Sequence, residues 1–76
     1  MDIEDLRKFI VVAQYENLNK ASQHLSVTTG ALSKVVKRIE HQLEVPVFDR
    51  VGKHIRLNQR GNKFLLYATQ HVHEAG

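Results

Sequence analysis

A mainly helical fold carrying one β-hairpin is what the sequence predicts, and three observations predict it. Apolar residues recur at helical spacing in three stretches before residue 44. Two short runs between residues 47 and 57 carry apolar residues at alternate positions, Val47 and Asp49 excepted, on either side of a glycine-containing loop. Helical spacing then returns after Asn58 and persists to the end of the sequence. With 76 residues, 42% of them hydrophobic, the chain holds one core and excludes a two-domain enzyme.

Each element follows from its own residues. Leu6, Phe9, Ile10 and Ala13 form one helical stripe behind Asp2, Glu4 and Asp5, whose charges suit a helix N-terminus, so a first helix spans about 3 to 15. Asn17-Leu18-Asn19 is a turn, and Asn19 is the expected cap of a short second helix through Leu25 with Ala21 facing inward. Ser26-Val27 leaves only a tight connection before Thr28, the expected cap of a third helix bearing Leu32, Val35, Val36, Ile39 and Leu43, with Pro46 as its stop. Two helices joined this closely make a helix-turn-helix candidate. Residues 47–57 then read as a hairpin, which directly behind a recognition helix is a wing. Asn58 is the expected cap of a fourth helix carrying Phe64, Leu65, Ala68 and Val72. The predicted fold is therefore a winged helix-turn-helix over 1–57 followed by a long helix over 58–76.

Charge is distributed unevenly along this framework. The net charge is +3, yet residues 19–63 hold nine cations against Glu40, Glu44 and Asp49, while the first eighteen residues are net acidic. One basic segment of this kind suits phosphates or acidic lipids. A membrane surface is the poorer match, because the cations of the last helix, Arg60 and Lys63, sit only in its first turns. The longest apolar run, residues 9–13, is far below the ~20 residues of a transmembrane helix, and no signal-peptide pattern opens the sequence, so a cytoplasmic location is expected. There is no cysteine, and no pair among His24, His41, His54, His71 and His73 has the i, i+4 spacing of helical ligands, so no metal site and no cofactor are expected. Neither a phosphate-binding glycine loop nor a nucleophile with a base is visible, so no catalytic residue is assigned.

Advancing ~100° per residue from Thr29 divides the third helix in two. Thr29, Gly30, Ser33, Lys34, Lys37 and Arg38 fill one half, and Ala31, Leu32, Val35, Val36, Ile39 and Leu43 the other. Hydroxyls and cations on one helix face match base edges and phosphates in a DNA major groove. Arg50, Lys53, His54 and Arg56 make the hairpin a second basic surface, suited to a narrow groove or flanking backbone, with a structural ion pair as the alternative role of Arg50. Thr28, Asn19 and Lys20, at the starts of the two helices, complete the candidate DNA-binding set. The competing reading is a winged-helix dimerisation or protein-interaction module, which would tend to lose Lys34, Lys37 or Arg38. All three are present.

These residues resemble the N-terminal domain of LysR-type transcriptional regulators. The resemblance runs through Asn19-Lys20-Ala21-Ser22, Leu25-Ser26-Val27-Thr28, Ala31-Leu32-Ser33-Lys34, Lys37-Arg38-Ile39-Glu40, Val47-Phe48-Asp49-Arg50 and Leu57-Asn58-Gln59-Arg60-Gly61. It implies a transcription regulator binding double-stranded DNA, with the wing against minor groove or backbone, and a linker helix through which two subunits pair. It also implies a larger effector-binding domain that this sequence lacks, so a fragment is expected, and a small-molecule effector only for a full-length protein. Thr28-Thr29-Gly30 departs from the usual Ser-Gln-Pro, and Glu44 from a usual Gly, where a left-handed cap would cost about 1 kcal/mol. On the last helix Leu65, Ala68 and Val72 are the expected homodimer contact, since nothing in the sequence follows to cover them.

Overall fold

A computed structural model describes residues 1–75, with the side chains of the first 73. Gly76, the last residue of the predicted linker helix, lies outside the described residues. The elements follow one another as α1 (Ile3–Tyr15), α2 (Leu18–Leu25), α3 (Thr29–Leu43), β1 (Phe48–Val51), β2 (His54–Leu57) and α4 (Gln59–Ala75). Asp2 caps α1 by accepting from the Asp5 amide at 2.9 Å, which satisfies one of the amides a helix start leaves unpaired. Thr28 caps α3 as predicted. The cap of α2 is Asn17 instead of Asn19: its side chain accepts from the Lys20 amide, so the helix begins at Leu18, one residue before the predicted cap. Asn58 accepts from the Gly61 amide at 2.8 Å at the start of α4.

All three leading helices end on a residue in the left-handed region, and none of the three is glycine. They are Glu16 (φ 49°), Ser26 (φ 58°) and Glu44 (φ 59°). Helix α3 thus stops at Leu43 through its Glu44 cap, before Pro46 comes into play. The hairpin pairs Phe48 with Leu57 and Val51 with His54, leaving Gly52 and Lys53 as a two-residue turn with glycine at φ +61° in its first position. Val47, expected at the start of the hairpin, precedes it and is fully buried.

The core gathers Leu6, Phe9 and Val12 of α1, Ala21 of α2, Leu32, Val35 and Ile39 of α3, Val47 and Phe48, and Phe64 and Ala68 of α4. Phe9 lies at its centre, with Phe64 at 4.9 Å edge-on and Phe48 at 5.6 Å. Ala68 therefore cannot serve the seam predicted for it. Its methyl is wholly enclosed by its own chain, because α4 folds back along α1 and spends this position on the core. Leu65 and Val72 are half-buried against the same core, whereas Leu66 is 70% and Tyr67 53% exposed.

Candidate nucleic-acid interface

The turn between α2 and α3 is set by backbone hydrogen bonds. The Ser26 amide donates to Gln23 O and the Val27 amide to Ser22 O, closing α2 while half-buried Val27 packs on the core. The Thr28 hydroxyl oxygen is committed to the Ala31 amide at 3.0 Å, so Thr28 fixes where α3 starts. Thr29, Gly30, Lys34 and Lys37 are exposed beyond it, and Ser33 is half-buried. Leu32, Val35 and Ile39 hold the opposite face in the core, so packing determines which half of α3 faces out.

The hairpin comes against this face. Ser33, Val36, Lys37 and Glu40 of α3 share a cleft of about 90 Å³ with Phe48, Arg50 and Ile55 of the hairpin and Leu18 of α2. Ser33, Lys37 and Arg50, far apart in sequence, are thereby brought together. Glu40 lies in the same cleft, where one of its oxygens accepts from the Val47 amide at 2.8 Å and ties α3 to the approach of β1. A second cleft, about 290 Å³, lies between the α1–α2 turn and the hairpin and gathers Lys20, His54 and Arg56 around Asn17. Asn19 is exposed beside it, and its carbonyl accepts from the Ser22 hydroxyl. Lys53 is exposed in the hairpin turn.

Three side chains that the sequence reading gave no part in the site organise it. Asn17 uses its oxygen on the Lys20 amide, which turns its Nδ2 toward His54 Nδ1 at 3.2 Å. An amide nitrogen only donates, so in this contact His54 Nδ1 is the acceptor. Glu16 accepts from the Leu57 amide through its carboxylate and from the Ile55 amide through its carbonyl, fastening the hairpin to the end of α1. Asp5, 5% exposed, takes Arg38 in a fork of two hydrogen bonds, each 2.9 Å, from Nε and Nη2.

That pair alters the place of Arg38. Its hydrogen bonds to the guanidinium hold the Asp5 carboxyl below its usual pKa, against the opposing effect of burial, and raise that of Arg38. Arg38 remains 54% exposed at the edge of the basic face, but part of its charge is balanced from α1. The ion-pair role considered for Arg50 is therefore filled by Arg38. Among the described residues Lys20, Lys34, Lys37, Arg50, Lys53 and Arg56 have no carboxylate partner. The same residues hold no group of three or more His, Asp or Glu able to bind a metal and no helix long and apolar enough to cross a membrane.

Comparison with known proteins agrees with this geometry. Residues 3–62 match the family described as bacterial regulatory helix-turn-helix protein, lysR family. The chain is 45% identical over 65 residues, 86% of its length, to the uncharacterized HTH-type transcriptional regulator YybE of Bacillus subtilis, and spans 22% of that protein. To the HTH-type transcriptional regulator DgdR of Burkholderia cepacia it is 34% identical over 90% of its length, spanning 23% of that protein. The structure superposes on the DNA-binding domain of CbnR in a DNA complex with a TM-score of 0.95 at 29% identity, covering 100% of this chain and 87% of that one. With a helix-turn-helix and wing in place and the family match running across nearly every element, the chain belongs to the LysR family of bacterial regulatory helix-turn-helix proteins.

Proposed function

We propose that this chain is the sequence-specific DNA-binding segment of a bacterial transcription regulator, working as a homodimer in the cytoplasm and without enzymatic activity. The observation that carries the reading is the outward face of α3, where Thr29, Gly30, Lys34 and Lys37 are exposed, with half-buried Ser33 among them and Arg50 brought alongside. Its likeness to a LysR-family DNA-binding domain solved on DNA supports the same reading. In this reading α3 enters the major groove, and Thr29 and Ser33 meet base edges. Lys34, Lys37 and Arg38 meet phosphates, and Lys53, His54 and Arg56 of the wing contact a flanking groove or backbone, with Asn19 and Lys20 at its margin.

Two copies would pair through α4, with the exposed edges of Leu65 and Val72 joined by Leu66 and Tyr67, and would read the two halves of a pseudo-palindrome. An effector-binding domain and its small-molecule ligand belong to the full-length protein, of which the chain would be about a quarter by the length of its relatives.

The test is binding to duplexes selected from a random library, measured over a range of salt. Affinity is expected to fall with a log–log slope of about −0.9 per phosphate neutralised, with Lys53→Ala making the slope shallower and weakening all sequences alike. Thr29→Ala or Ser33→Ala should change base preference. Salt-independent binding, or none at low salt, refutes the function.

A further inference from the structure

Of the glycines in the described residues, two have reasons inside the molecule. Gly52 takes the left-handed conformation its turn requires. A Cβ on Gly61 would lie 2.1 Å from the Val47 carbonyl oxygen. Gly30 has neither reason. Its φ is not positive, and a Cβ built on it meets nothing within 4 Å. It nevertheless stands in the first turn of α3, where glycine is the poorest helix former after proline and alanine would fit without contact. Among the described residues no contact repays that loss, which leaves the space open to a group from outside them.

The position of the gap limits what that group can be. On the wheel of α3 Gly30 falls at about 100°, close to the middle of the exposed half, between Thr29 and Ser33 on one side and Lys34 and Arg38 on the other. When a helix lies in the major groove its flanks face the two phosphate walls, and its central line faces the floor, where base-pair edges lie. The 5-methyl of thymine is the apolar group presented on that floor, and the exposed, bare Cα of Gly30, with open space where a Cβ would stand, is an apolar notch.

Resting on the DNA-binding reading above, we infer that Gly30 is a specificity-determining residue: its missing side chain lets α3 seat against the groove floor, and the space is taken by the 5-methyl of a thymine. The position reads sequence by shape, through a group the protein lacks, and Gly30→Ala should close the notch without disturbing the fold.

The experiment uses the whole 76-residue chain and a duplex enriched by the wild type from a random library. Gly30→Ala should raise Tm while weakening the enriched duplex about tenfold and a random duplex less than twofold. Replacing thymines one at a time by deoxyuridine should locate a position in each half-site where loss of the methyl weakens wild type about threefold or more. With deoxyuridine there, the difference between wild type and Gly30→Ala should shrink. The inference is overturned if Gly30→Ala binds the enriched duplex as tightly as wild type, if it weakens enriched and random duplexes equally, or if no deoxyuridine position matters. A wild type that binds no duplex at low salt removes the DNA-binding reading and this inference together.

Discussion

Two glutamates at helix ends share one backbone conformation and have opposite worth. Glu44 (φ 59°) makes no side-chain hydrogen bond among the described residues, so Glu44→Gly relieves a left-handed residue and removes nothing. It should stabilise by roughly 0.5–1 kcal/mol in urea unfolding. Glu16 (φ 49°) holds the Leu57 amide with its carboxylate. Glu16→Gly gives the same relief but leaves a part-buried amide without its acceptor, and the net effect should be a loss of roughly 1 kcal/mol. Equal and opposite signs in the two variants would distinguish strain from function at a cap; equal gains would refute the role given to Glu16.

Asp5 contributes an acid-dependent part of the stability. Its folded pKa is lowered, chiefly by the hydrogen bonds from Arg38, so its contribution is fully present above the ordinary carboxylate range and is lost as pH falls through the folded value. Arg38→Ala leaves a buried carboxylate without the cation that hydrogen-bonds it, so it should lower the urea midpoint at pH 7. At pH 3 the deficit should narrow, because a protonated Asp5 no longer needs a counter-charge. A deficit unchanged between the two pH values would place the loss in packing of the arginine stem instead.

At the scale of elements, the joint between hairpin and α4 leaves no room for an added side chain at Gly61. The Asn58 amide donates to Val47 O, its Nδ2 to Pro46 O, and its Oδ1 accepts from Gly61. Gly61 is buried where α4 passes the Val47 carbonyl and Leu57, so an added methyl would overlap the backbone oxygen and the leucine Cδ1 at 2.6 Å. Backbone cannot step aside as a flexible side chain can. Gly61→Ala should cost about 2–3 kcal/mol and, in a domain of this size, lower Tm by roughly 10–20 °C. A loss below 1 kcal/mol would mean that α4 can shift away, and that the wing is not held by it.

At the scale of the whole molecule, one small core has to coexist with the association surface proposed on α4. Helix α4 spends Phe64 and Ala68 on its own core and leaves Leu66 and Tyr67 outward, with Tyr67 stacked on His71 at 5.6 Å. A charge on Val72 would disturb packing within the chain as well as the proposed seam, whereas one at Leu66, 70% exposed, would act on the proposed seam alone. Leu66→Asp should therefore leave Tm within a few degrees of wild type, shift sedimentation to monomer, and weaken a full palindrome far more than a half-site. Association should be weak to moderate, since a few hundred Å² at ~25 cal/mol per Å² must overcome the entropy of pairing. Wild type sedimenting as a monomer at high concentration would refute the α4 dimer.

What the sequence determined by itself is what short-range physics writes into it. Helical spacing places the three leading helices within a residue or two, Thr28 and Asn58 are caps because their oxygens reach amides three positions on, and the basic face of α3 follows from its period alone. The family resemblance rested on the same local motifs. Tertiary structure decided matters that depend on contacts between distant residues. Asp5 shares a stripe with Phe9 and Val12 at i, i+4 and i+7, a legible sign that a carboxylate would be buried, but only the fold shows that Arg38, thirty-three residues away, is the cation that satisfies it. Likewise Ala68 and Leu66 are both apolar positions on one helix. Period puts them on opposite faces, but that Ala68 is wholly enclosed follows from how closely α4 returns to the body of the fold, with Gly61 set against the Val47 carbonyl and Leu57, a contact no local pattern encodes.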